Sequence, residues 1–176
     1  MSSRDQYRPG AATGASIRRH GENWTLIVVR ELRHPPEKVW EALTDPAQLR
    51  EWAPYDADRS LATVGTVTLT TVGAAASASA PSEVTRAEAP WLLEYRWGGN
   101  EMRWQLEPLG TGTRLTLWHN IDRRYIAMGA AGWQICLDVL GHLLDGDPLG
   151  RIVGGDAMRF EWPRLHAEYQ QQFDSG

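Results

Sequence analysis

Five histidines, one cysteine and nine tryptophans are the side chains here with the most chemistry to offer. The histidines are His20, His34, His119, His142 and His166, and no two fall at a helical metal-ligand spacing. A single cysteine cannot supply a thiolate zinc pattern. No metal and no cofactor is expected. No phosphate-cradling glycine loop, nucleophile elbow or paired-histidine zinc helix occurs in the sequence either. His119 is the ionisable side chain of most interest, because it ends the alternating run Leu115, Leu117, His119 and so projects to the inward face of its strand. There it could donate a hydrogen bond to a ligand or move a proton as acid or base. The competing expectation is a half-buried histidine at the open end of the strand, satisfied by a backbone carbonyl. No carboxylate partner can be placed beside it, so His119 is a weak catalytic candidate and catalysis is not expected. Cys136 lies between Ile135 and Leu137. Nothing there lowers a thiol pKa, so it is expected to be an inert small hydrophobe.

These side chains need elements to position them. Trp24–Arg33 is apolar and β-branched enough for a strand. Pro36 suits a first helical turn, followed by Val39, Trp40 and Leu43 at helical spacing. Asp45, Pro46 and Gln48 restart the pattern as N-cap, first turn and capping box of a second short helix carrying Leu49 and Trp52. Trp40 and Trp52 are expected to pin these helices to the sheet. A meander of strands follows: a weak one at Arg59–Thr63, then Thr66–Val72, Ser82–Glu88, Trp91–Trp97, Glu101–Glu107 and Thr113–Asn120. The low-complexity stretch GAAASASAPS, 73–82, reads as an exposed loop, and Gly98-Gly99 as a two-residue hairpin turn. Alternation puts Trp91, Leu93, Tyr95 and Trp97 on one face, with Met102, Trp104 and Leu106 facing inward on the next strand. One polar and one apolar face mean a sheet wet on one side and covered on the other. The cover is the run 128–146, where Trp133, Cys136, Leu137, Leu140 and Leu144 form one helical stripe, ended by Gly146 and Pro148. A last helix, about Pro163 to Phe173, carries Leu165, Tyr169 and Phe173 four apart.

The whole is therefore expected to be α+β. A curved antiparallel sheet of about seven strands, with two short helices after the first, closes on a long C-terminal helix across its concave face. Residues 1–22, rich in Gly, Ser and Arg without a period, read as a flexible tail, and 23–176 as a single domain. A chain of this length can bury roughly 70% of its unfolded surface without disulfides or metal. A net charge of −4 gives no pull toward nucleic acid. No stretch reaches the 18 or so consecutive apolar residues of a membrane span, and residues 1–21 have no apolar h-region, so no secretory signal is expected. A cytoplasmic location follows from the unpaired cysteine, and the arginine- and alanine-rich composition is associated with bacterial genomes.

The segments PPEKVWEALTDPAQLREW, GTRLTLWH and AAGWQICLDVLGHLLDGDP resemble the family of homologues of the activator of the Hsp ninety chaperone ATPase. That family lies in the START, birch-pollen-allergen and polyketide-cyclase superfamily (SRPBCC). With the strand order, the likeness spans roughly residues 24 to 173. It implies a helix-grip fold with an internal cavity, and relatives that bind lipids, hormones or aromatic products. A sheet wrapped on a helix encloses space, so an aromatic-lined pocket for a small apolar or aromatic ligand is the leading expectation. Trp104 and Trp133 are the leading cavity-lining candidates, joined by Tyr95, Met102, Leu117, His119, Cys136, Leu137 and Leu140. A carrier or sensor of such a ligand is the first functional reading. A cyclase or dehydratase using His119 is the second, and requires another polar group beside it. A chaperone-associated interaction module is the third, and predicts a filled interior and an exposed apolar patch. Chaperone activation is not expected, because only 22 irregular residues precede the first strand; a homodimer is left open.

Overall fold

The computed structural model describes residues 2–73 and 78–175. Among the described residues nine strands form two antiparallel sheets. The larger runs β1 (Ala15–His20), β2 (Asn23–Leu32), β9 (Gly112–Asn120), β8 (Asn100–Leu109), β7 (Leu92–Trp97), β6 (Arg86–Glu88) in spatial order. The smaller holds β3 (Tyr55–Ala57), β4 (Gly65–Thr71) and β5 (Ala78–Val84). Ser82 stitches the two together: its hydroxyl donates to the Arg96 carbonyl on β7 at 2.6 Å and accepts from the Arg96 N–H at 3.2 Å. The edge strand β5 thus lies against β7 where the two sheets meet.

The alternation of the sequence sets the register. Leu26, His119, Met102 and Tyr95 stand opposite one another in one row across β2, β9, β8 and β7. Val28, Leu117, Trp104 and Leu93 form the next row. All eight are buried, while Arg103 and Arg114 of the opposite face are exposed. A one-residue slip would turn every one of these side chains to water, which is why the register is tightly specified. Gly98 and Gly99 close the β7–β8 hairpin at φ of 61° and 81°, the two positive values that a type I′ turn requires.

Helix α4 (Ile126–Leu144) fills the concave face. Its stripe Trp133, Cys136, Leu137, Leu140 and Leu144 is buried as the spacing predicts. The polar exceptions are paired. Arg30, inward between Val28 and Leu32, reaches Asp138 at 2.6 Å, and Tyr7 donates to the other oxygen of the same carboxylate at 2.6 Å. This helix is long and on average apolar enough to cross a membrane, although Gln134, Asp138 and His142 interrupt its apolar run. Most of it is buried inside the protein, as befits a core helix. Helices α2 (Pro36–Thr44) and α3 (Pro46–Trp52) pack beside it, and Asp45 caps α3 through the Ala47 N–H at 3.4 Å. Trp40 and Trp52 are both buried, and the Trp52 indole donates to the Ala42 carbonyl at 2.9 Å, tying α3 to α2. Helix α5 (Trp162–Asp174) buries Leu165, Tyr169 and Phe173 against α4.

Four expectations are corrected. Residues 2–22 are not an irregular tail: Ser3–Gln6 is a helical turn, α1, and Ala15–His20 is the edge strand β1. Between them the backbone is strapped across α4 and α5. Arg164 donates to the Pro9 carbonyl, Gln134 to the Ala11 carbonyl, Tyr169 to the Thr13 carbonyl and Gln172 to the Ala12 carbonyl. Glu168 accepts the Ala12 N–H at 2.9 Å. Such bonds come from side chains more than 120 residues away, so no local period announces them. The weak strand at Arg59–Thr63 is instead turn, and the pairing occurs earlier, at Tyr55–Ala57, which the proline at 54 obscures. Of the anticipated loop 73–82, residues 74–77 lie outside the described residues, while 78–82 belong to β5, where backbone pairing with β4 compensates for poor strand propensity. Trp91 is exposed rather than inward, because its N–H closes a turn onto the Glu88 carbonyl at 2.7 Å before β7 begins.

Candidate functional site

Small-residue positions on α4 and the end of the large sheet leave a space between them. The cavity measures about 640 Å³, within the usual range of small-molecule sites. One wall is the sheet: Trp97 and Gly98 of the β7 hairpin, Asn100, His119 and Ile121. The N-terminal half of α4 faces it with Met128, Gly129, Gly132, Trp133 and Cys136. Two connecting segments complete the wall, Thr71–Gly73 after β4 and the stretch through Ile152, Val153, Ala157 and Met158, with Trp162 at the start of α5. Those segments meet backbone to backbone. A Cβ on Gly154 would overlap the Gly73 carbonyl, so glycine at both positions permits the closure. Gly132 serves the space differently, because a Cβ there would meet only the Trp162 indole nitrogen, at 3.9 Å. Tyr125, Met128 and Met158 are more than a third exposed and all border this cavity, giving it an apolar rim.

Among the described residues, no side chain bordering the cavity carries a carboxylate, guanidinium or ammonium group. The polar groups present are mostly committed to each other. The Trp97 indole N–H donates to Thr71 Oγ1 at 2.9 Å. That of Trp133 donates to His119 Nδ1 at 3.0 Å. The His119 ring also stacks on Trp97, with centroids 5.7 Å apart and planes 30° apart, and meets Trp133 edge-on at 5.9 Å. Burial, with no charge nearby to offset it, lowers the His119 pKa to about 4. The imidazole is therefore neutral at physiological pH. Because an indole N–H can only donate, Nδ1 must be the bare acceptor and the proton resides on Nε2. Among the described residues nothing accepts from that Nε2–H, although the atom is buried. Burial likewise pushes the Cys136 thiol up to about 12, so it lines the cavity as an apolar surface rather than as a nucleophile.

Of the nine side chains anticipated for the site, His119, Trp133 and Cys136 border the cavity. Tyr95, Met102, Trp104, Leu117, Leu137 and Leu140 do not. They are almost wholly buried in the packed interior behind it. Trp104 fills the space between sheet and helix. It meets Trp52 edge-on at 6.0 Å and Trp133 at 5.4 Å, and donates to the Tyr95 hydroxyl at 3.2 Å. That hydroxyl is in turn hydrogen-bonded to Tyr55. His119 also departs from the half-buried, carbonyl-satisfied histidine expected of the open strand end, since its partner is an indole and its burial is nearly complete. Trp97, Met128 and Gly132 were missed, though each carries a local signal. Trp97 shares the inward face of Tyr95, Gly132 lies four positions before Cys136, and Met128 lies four before Gly132. The segments 71–73 and 152–158 carry no such signal.

A search of the curated proteins finds no significant match to this sequence. Solved structures give close folds. CalU16 from Micromonospora echinospora, in its solution structure, is 25% identical, with 94% of this chain and 95% of that one covered at a TM-score of 0.68. The conserved protein EF2215 from Enterococcus faecalis, of unknown function, is 15% identical over 90% and 89% of the two chains, also at 0.68. Protein MLL2253 from Mesorhizobium loti is 27% identical, covering 69% of this chain and 97% of its own at 0.60. These agree with a helix-grip architecture, in which a curved antiparallel sheet grips a long C-terminal helix. The model of one family, described as activator of Hsp90 ATPase homolog 1-like protein, matches residues 33–145, which run from the end of β2 through α4 and so include both His119 and Trp133. The chain belongs to that family.

Proposed function

We propose that the protein binds a small apolar or aromatic molecule in this cavity, as a carrier or sensor. The observation that supports it is a space of about 640 Å³ with apolar walls, an apolar rim and, among the described residues, no charged side chain in its lining. Apolar surface of this extent, left unfilled, forfeits dispersion contacts that a ligand would restore. A cyclase-type reaction needs a group to take a proton. His119 is a feeble base with a pKa of about 4, and among the described residues the lining offers no carboxylate to assist it. Binding without chemistry is the simpler use of the same geometry.

Thermal unfolding against fatty acids, flavonoids, polyketide-like aromatics and sterols tests the reading. A ligand at 100 times its dissociation constant stabilises by about 2.7 kcal/mol if it binds only the folded state, a rise in Tm of roughly 5 to 11 °C. Gly132→Leu should abolish that rise by filling the space beneath Trp162. It should leave the unliganded Tm equal or higher, because leucine is favoured over glycine in a helix by roughly 0.5–1 kcal/mol. A rise that persists in Gly132→Leu would place the ligand elsewhere.

A further inference from the structure

We infer that the ligand of this cavity is an uncharged molecule whose apolar body carries a carbonyl-type acceptor, and that this acceptor docks on His119 Nε2–H. The inference rests on the cavity reading above and names the chemistry the cavity selects. Two independent features converge on it. The first is the tautomer. Trp133 Nε1–H occupies Nδ1, which leaves a fixed N–H donor on the other nitrogen of a ring that borders the cavity. That donor is buried and meets no acceptor among the described residues. A buried donor without a partner is costly, and native interiors rarely leave one. The second is the lining. Among the described residues it contains neither Arg nor Lys to pair with a buried carboxylate, and neither Asp nor Glu to pair with a buried cation. A ligand charge brought beside His119 would be desolvated without compensation. A neutral oxygen acceptor is what both features accommodate.

The stacking partners fix the donor in place. Trp97 covers one face of the imidazole and Trp133 holds its Nδ1 edge, so the ring cannot flip without breaking the indole hydrogen bond. The nitrogen itself has almost no accessible surface, so neighbouring side chains must give slightly for a carbonyl oxygen to reach it. A fatty acid, whose polar end is an anion, is the wrong chemistry for this inner end of the pocket.

Three probes with one tricyclic skeleton separate the contributions: fluorene, 9-fluorenone and fluorene-9-carboxylate. Their dissociation constants are measured by calorimetry or tryptophan fluorescence on the wild type, on His119→Leu and on His119→Gln. The ratio of the fluorene to the fluorenone constant should be about 5 to 10 times larger in the wild type than in His119→Leu. Comparing ratios cancels the different hydration of the two compounds. Glutamine can accept from Trp133 through its oxygen and donate through its nitrogen, so His119→Gln should recover part of the preference. The carboxylate should bind weakest to the wild type. If His119→Leu does not fold, imidazole nitrogen NMR on the wild type decides: the Nε2–H signal should move with fluorenone and stay put with fluorene. Equal ratios in wild type and His119→Leu, or an unmoved Nε2–H, would overturn the inference while leaving the cavity reading intact. Tightest binding by the carboxylate would overturn it as well. Failure of both neutral compounds to bind would remove the inference and the cavity reading together.

Discussion

At the scale of single residues, His119 carries the most consequence. Its side chain is held neutral by burial, with a pKa of about 4 against an ordinary value of 6.5. Between these two values the unfolded chain binds a proton at this position and the folded chain does not. Stability therefore falls as pH drops from about 6.5 to 4, and is unaffected by this group above that window. The magnitude is on the order of 3 kcal/mol, since each tenfold change in proton affinity is worth about 1.4 kcal/mol. Urea unfolding of wild type and His119→Gln at pH 7 and pH 4 measures it. The wild type should lose about 3 kcal/mol more than the variant over that range, and equal losses would mean that the ring is solvated in the folded state. Alternation along β9 places this residue inward, so its face was legible in the sequence. Its partner was not, because Trp133 lies on a helix and meets Nδ1 only once α4 is seated.

Among the elements, the N-terminal segment behaves least as its composition suggests. Gly, Ser and Arg without a period describe a disordered tail, yet Tyr7 and Ala12 are buried and the stretch between them is held by side chains of α4 and α5. Arg4 extends the attachment, donating to the carbonyls of Leu149, Gly150 and Arg151 at 3.2, 2.9 and 3.0 Å. That contact fixes the chain leaving α4, just before the segment that walls the cavity. Deleting residues 2–13 should cost about 4 to 5 kcal/mol, at roughly 0.5 kcal/mol for each of the hydrogen bonds named above. In Tm this is a fall of roughly 10 °C, and calorimetry of the truncated protein reads it. An unchanged Tm would mean that the strap contributes nothing. Helices α2 and α3 are the opposite case. Pro36, Asp45 and Pro46 are local signals, and the helices begin where those residues place them.

On the scale of the whole molecule, interior and cavity are separate regions. Trp104, Trp52, Tyr95 and Tyr55 fill the middle of the grip with edge-to-face contacts and hydrogen bonds. Trp104→Ala should therefore behave as a core truncation, costing about 3 to 5 kcal/mol, with a Tm lower by roughly 10 °C or more. Gly132→Leu, on the cavity side of α4, should not. If Trp104→Ala were to unfold at the wild-type temperature, the space around it would have to be open.

The sequence by itself determined helices α2 to α5, the strands β2, β4 and β7 to β9, and the inward faces of the last three. A period of two or 3.6 is a local property, and burying one face of a sheet allows a single register. It also singled out the α4 stripe that covers the sheet. Only the tertiary structure decided where the empty space lies. Trp104 and Trp133 are alike by periodicity, both apolar and both inward, but one packs in the middle of the grip and the other borders its open end. What walls that end is the meeting of segments distant in sequence, Gly73 against Gly154, and what keeps it empty is Gly132 beneath Trp162. Contacts of this kind depend on loop paths fixed by the whole fold, and loop paths have no period to read.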